Sequence, residues 1–156
     1  MRLKCIFICF VALRCIPAIA EPTSERWGKT LSAFFNLSTP DELGRKVSIL
    51  SKSKDPEIRG CVAALLEQYF YYINKTDRNN ALKLLIRDSN PDVRYIAITA
   101  CLGKGANVAF LENDLRALLA RGKNGEIHDA NLDLLISDTD HVLTEIGEAK
   151  ALMRKK

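Results

Sequence analysis

The sequence predicts an all-α fold of stacked helical hairpins, and two observations carry that prediction. Three short segments are versions of one phrase: Asp55-Pro56-Glu57-Ile58-Arg59, Asn90-Pro91-Asp92-Val93-Arg94 and Asn124-Gly125-Glu126-Ile127-His128. Ile58 and Val93 lie 35 residues apart, and Val93 and Ile127 lie 34 apart, a period that belongs to proteins built by piling up one small unit. Apolar residues also recur at helical spacing along most of the chain, and no stretch alternates for long enough to read as a strand. The phrase itself is a helix start. Asp or Asn caps the helix, Pro fits the first helical position, and the acid that follows faces the positive end of the helix dipole.

Taken in order, Thr23 or Ser24 caps a first helix carrying Trp27, Leu31, Phe34 and Phe35. Thr39-Pro40-Asp41-Glu42 starts a second, with Leu43, Val47 and Leu50 at helical spacing. Pro56 opens a long helix to about Ile73, whose apolar side is Ile58, Val62, Leu65, Leu66 and Tyr69. Ala81, Leu82, Leu85 and Ile86 mark a short helix, and Pro91 opens another that Gly103-Lys104-Gly105 ends. Val108 to Ala120 is amphipathic. Asn124 is read as the cap of a third copy containing Ile127, Asn131, Leu134 and Leu135. Ser137 or Asp138 is read as the cap of a last helix with Val142, Leu143, Ile146, Ala149 and Leu152. The expected architecture is an α-α superhelix of about three hairpins, with a capping helix at each end.

Residues 1–20 form an expected secretory signal peptide. Arg2 and Lys4 give a basic start, Cys5 to Leu13 are almost all apolar, and Ala18-Ile19-Ala20 is a small-x-small cleavage signal. The apolar run is shorter than the roughly 20 residues that span a bilayer, so no stable membrane insertion is expected. The mature domain is then 21–156, in the periplasm. The leader holds three of the 23 basic residues and none of the 19 acids, which leaves 20 bases against 19 acids and a net charge of +1. Such a balance gives no field that would draw nucleic acid.

Of five cysteines, three leave with the leader. Cys61 and Cys101 remain, and two cysteines in an exported chain suggest a disulfide. Repeat alignment opposes it. The two sit about five residues out of register, roughly 7.5 Å along the axis on top of an interaxial gap of about 8–10 Å. A disulfide needs Cα atoms within about 7 Å. Two buried thiols are expected instead.

The Asp-Pro-x-Ile/Val-Arg phrase at the start of the second helix of each hairpin resembles the short variety of HEAT repeat, over roughly residues 40–136. The likeness is strong in the first two copies and degenerate in the third, where Gly125 replaces Pro and His128 replaces Arg. The resemblance implies right-handed stacking, with the second helices lining a concave binding face. It also implies that Arg59 and Arg94 bond an Asp and loop carbonyls of a neighbouring repeat, with Asp55 and Asp88 as candidates. Glu57, Asp92 and Glu126 are accounted for by first-turn helix electrostatics.

The row of second-helix positions expected to face outward reads Gly60 and Ala64, Tyr95 and Thr99, Asp129 and Asp133, extended on the first copy by Glu67, Gln68 and Tyr71. Glu67, Tyr71, Tyr95, Thr99, Asp129 and Asp133 are therefore the expected partner-binding residues, because a surface grading from aromatic to acidic suits a protein partner. Tyr69-Phe70-Tyr71-Tyr72 cannot all face the core of a helix that turns about 100° per residue. One or two are expected at the surface, or covered by the helix that carries Trp27.

Catalytic chemistry finds little support. Neither histidine is followed by Glu, so the His-Glu metal pairs of HEAT-repeat hydroxylases are missing, and no His/Cys spacing suits zinc. Cys61 with His128 could be imagined as a nucleophile pair, but the cysteine lies in an expected helix interior with no activating neighbour. No enzyme activity and no cofactor are expected. Size, export and helical plan are similar to those of the immunity proteins that protect Gram-negative cells from type VI secretion peptidoglycan amidases. The expected function is inhibition of such a hydrolase by covering its cleft; the alternative is a periplasmic scaffold bridging envelope proteins.

Overall fold

The computed structural model of the protein describes residues 39–155. The leader and the helix expected to carry Trp27 lie outside the described residues. Within them the chain is all helical, with no strand. The α-helices are α1 (Pro40–Leu50), α2 (Pro56–Gln68), α3 (Lys75–Ile86), α4 (Pro91–Thr99), α5 (Glu112–Lys123) and α6 (Leu132–Arg154). A 3-10 helix, Gly105–Leu111, leads into α5.

The helix starts follow the sequence logic. Thr39, Asp55 and Asn90 each take an extended backbone, and each accepts a hydrogen bond from a first-turn amide, with Pro immediately after. Asn74 caps α3 by accepting from the Asp77 amide at 3.0 Å. Each cap satisfies an amide that has no partner inside its helix.

The helices pack in two rows. In one, α3 packs on α1 and α5 on α3; in the other, α4 packs on α2 and α6 on α4. The core lies between the rows and is filled by residues such as Val47, Leu66, Leu82, Leu85, Ile98, Leu115 and Ile146, all at or near zero exposure. Close helix approach needs small residues at the crossings. Gly44 brings α1 against the Asn74–Asp77 cap of α3, and Gly60 on α2 lies under Ile96 of α4.

Three expectations are corrected. The α2 helix ends at Gln68 rather than near Ile73, with Tyr69 as its C-cap; Phe70 and Ile73 then turn into the core, leaving Asn74 free to cap α3. Asn124 is no helix start. It is the C-cap of α5, followed by Gly125 at φ 72. The Glu126 amide bonds the Arg121 carbonyl at 2.9 Å and the Gly125 amide bonds that of Gly122 at 3.1 Å. That pair of bonds is a Schellman ending. Putting Gly where the other copies have Pro changed a start signal into a stop signal. The last helix is also not separate. The α6 helix runs through Ser137 and Asp138 without a break, and the Thr139 hydroxyl donates back to the Leu135 carbonyl at 2.5 Å. Among the described residues the expected capping helix is the continuation of α6, whose end packs on the 3-10 helix and α5.

Candidate protein-binding site

A chained set of ion pairs joins one helix pair to the next. Arg59 on α2 donates from Nε and Nη2 to the two Asp88 oxygens at 2.6 and 2.8 Å, and from Nη1 to the Ser53 carbonyl at 2.8 Å. Arg94 on α4 donates to both Asp129 oxygens at 2.7 and 2.5 Å and to the Asp88 and Ser89 carbonyls. Asp88 thus accepts from Arg59 with its side chain and from Arg94 with its backbone. These pairs are largely shielded from water, with side-chain exposures between 7% and 14%. The hydrogen bond to Asp88 holds the Arg59 guanidinium above its usual range, against the opposing effect of burial. Arg59 and Arg94 therefore act as ties between helix pairs. His128, the third copy's counterpart, is exposed in the loop before α6.

This arrangement redistributes the expected binding row. Asp129 is not on an outward helix face; it sits in the pair with Arg94, because the chain from Gly125 to Asn131 is loop. Tyr95 is half-buried on α4, and burial, with Asp138 of α6 beside it, pushes its phenol upward. Thr99 is half-buried and its hydroxyl donates to the Ile96 carbonyl at 2.8 Å. Asp133 is exposed at the first turn of α6, Glu67 at the end of α2, and Tyr71 in the turn that follows α2. Of the expected row, Glu67, Tyr71 and Asp133 are thus open to solvent, and Tyr95, Thr99 and Asp129 only partly so.

What the fold does gather is the edge where α2 and α4 end. The α6 helix runs beside α4 in the same direction, since Asp129 and Asp138 meet the start of α4 and Glu145 meets its end. Both Glu145 oxygens accept the Gly103 amide at 2.9 Å, and His141, one turn earlier, lies 3.3 Å from the same carboxylate. Next along the edge, the Lys104 ammonium sits 5.3 Å from the Phe70 ring centre and 5.4 Å from that of Tyr71. Phe70 is buried, and the Arg78 guanidinium lies 4.1 Å from its ring while donating to its carbonyl at 2.8 Å. Burial lowers the affinity of Arg78 for its proton, and Tyr71 opposes that. On this base Tyr71 stands edge-on to Phe70 at 5.1 Å, and Tyr72 edge-on to Tyr69 at 6.4 Å. Tyr71 is 68% exposed and Tyr72 49%.

The sequence had marked the aromatic run but not Lys104, His141 or Glu145. Lys104 read only as part of a helix stop. Glu145 reaches Gly103 across 42 residues, a pairing no local pattern signals.

Cys61 and Cys101 are buried, unbridged thiols. Burial pushes the Cys101 thiol up to about 12, and its Sγ donates to the Ala97 carbonyl at 3.3 Å. It therefore keeps its proton near neutral pH and is a poor nucleophile. Among the described residues no group of three or more His, Cys, Asp or Glu is placed to hold a metal, and no helix is long and apolar enough to cross a membrane. No family model, curated protein or solved structure matches the chain.

Proposed function

We propose that the chain is a HEAT-like helical repeat module that binds another protein through the edge carrying Tyr71, Tyr72 and Lys104. The single observation behind this reading is the exposure of two large aromatics that each stand edge-on to a neighbouring ring. An exposed ring that is stiff before binding loses little entropy on contact, which is why tyrosines recur at interface centres. Lys104 beside Tyr71 adds a cation at the rim, with Glu67 and the Glu145–His141 pair completing a mixed polar border. An interface of the usual size, about 800 Å² per partner, exceeds two tyrosines and draws in that border.

In its specific form, the module is exported by residues 1–20 to the periplasm and inhibits a cell-wall hydrolase, a peptidoglycan amidase effector of type VI secretion, by steric cover of its cleft. Export rests on the leader's sequence; the inhibitor role rests on size, export and helical plan together. The mode of action needs no chemistry from this chain. It requires only a rigid surface that competes with substrate.

The test is retention of envelope proteins on the immobilised chain, followed by peptidoglycan digestion with whatever is retained. The reading expects a hydrolase that the chain blocks, and at least tenfold weaker blocking by Tyr71→Ala/Tyr72→Ala with an unchanged melting temperature. Retention that ignores both substitutions moves the site elsewhere. Retention of envelope structural proteins without a hydrolase favours the scaffold role.

A further inference from the structure

Charge is divided between the two helix rows. On α1, α3 and α5 among the described residues, Asp41 is the one exposed carboxylate, whereas Arg45, Lys75, Lys83, Arg116, Arg121 and Lys123 are exposed cations, with Lys52 exposed just past α1. Exposed charge on α2, α4 and the body of α6 is acidic instead: Glu67, Asp133, Asp140 and Glu148. Arg116 is neutralised by Glu112 at 2.8 Å; Arg45, Lys52, Lys75 and Lys83 have no ion-pair partner among the described residues. Ile49 lies one turn after Arg45 and three residues before Lys52, and Leu84 directly follows Lys83; Ile49 is 69% exposed and Leu84 44%. They lie 35 residues apart, at matching positions of two helices that pack side by side.

The geometry points to the outward side of α1 and α3 as a docking face for an anionic lipid bilayer, with Ile49 and Leu84 entering the headgroup boundary and the surrounding cations meeting lipid phosphates. Exposed aliphatics ringed by long cationic side chains are the pattern of elements that lie on a membrane surface. A nucleic acid engages cations through phosphate and aromatics through stacking. It rewards neither Ile49 nor Leu84, and the aromatic beside this row, Phe110 of the 3-10 helix, is half-buried with Lys83 5.7 Å from its ring centre. A protein interface centre favours stiff aromatics, which this chain carries on the tyrosine edge. The face is peripheral, without a spanning segment, and does not depend on the role proposed for that edge.

The test is flotation of the full chain with vesicles of phosphatidylcholine alone and with vesicles half phosphatidylglycerol. The leader is common to every variant, so its own lipid affinity cancels in the comparison. Ile49→Ser/Leu84→Ser and Lys52→Glu/Lys83→Glu should each weaken binding to the anionic vesicles at least tenfold, with unchanged melting temperatures. Asp133→Asn/Asp140→Asn should not weaken it. Equal binding of wild type to both vesicle types, or wild-type binding by the Ile49/Leu84 variant, overturns the proposal. Loss confined to the charge-reversed pair also overturns it and assigns the face to a soluble polyanion.

Discussion

Gly44 and Gly147 both lie inside helices, yet Ala should act oppositely at the two. At Gly147 a Cβ meets nothing within 4 Å, so Gly147→Ala should stabilise by about 1 kcal/mol through helix propensity alone. At Gly44 a Cβ would lie 2.4 Å from Asn74 Nδ2 and 2.6 Å from Asp77 Oδ2. These atoms bond each other and belong to the cap of α3. Gly44→Ala should therefore cost about 1–3 kcal/mol by displacing them, and urea denaturation of both variants measures the contrast. Cys101 offers a pH test. Its pKa is raised by burial from 9.0 to about 12, so the folded state holds the proton more tightly than the unfolded one. The stabilisation is full below the ordinary thiol pKa and is lost as pH rises through that window. Alkaline denaturation should therefore be milder in Cys101→Ala relative to its own neutral-pH stability; identical alkaline decline would contradict the burial. Asp88 was named, beside Asp55, only through the repeat resemblance, and the unbridged thiols through repeat register. The pairing of Asp129 was not readable, because its position depends on how the preceding loop is folded.

At the scale of the element, the starts marked by a cap and a proline were legible, whereas starts without proline and helix ends were not. The former depend on a cap and a proline within four residues, so Pro40, Pro56 and Pro91 located α1, α2 and α4 directly. Ends depend on what the next segment must reach. Tyr69 stops α2 because Phe70 and Ile73 turn inward, and Asn124-Gly125 stops α5 where the repeat spacing suggested a start. The α6 helix needed no internal cap because its last turns have their own dock. Lys150 bonds Glu112 at the start of α5, and Ala149 lies against Gly105. The hydrogen bond from Lys150, then that from Arg116, holds the Glu112 carboxyl below its ordinary 4.5. A depressed carboxyl stabilises above its ordinary pKa and loses that effect as pH falls through the lowered value. Protection of the last turns of α6 against hydrogen exchange, relative to the intrinsic rate at each pH, should fall in that acid window, and Glu112→Gln should show the lower protection already at neutral pH. Protection that is the same in both would mean the tail is held by packing alone.

For the whole molecule, the all-helical class and the pairing of neighbouring helices followed from periodicity, while the division into a cationic row and an acidic row did not. Charges on helix surfaces are weakly constrained by folding, so no pattern rule places them. The aromatic edge is a similar case: the run of four aromatics was visible, but which two face solvent depended on where α2 ends. The claim beneath both proposed surfaces is that successive helix pairs are tied together by Arg59–Asp88 and Arg94–Asp129, which fixes how the rows present their side chains. Double-mutant cycles on these two pairs, measured by urea denaturation, test it most directly. Each pair should show a coupling energy of about 1–3 kcal/mol; couplings near zero at both would mean that the arginines do not tie the helix pairs together.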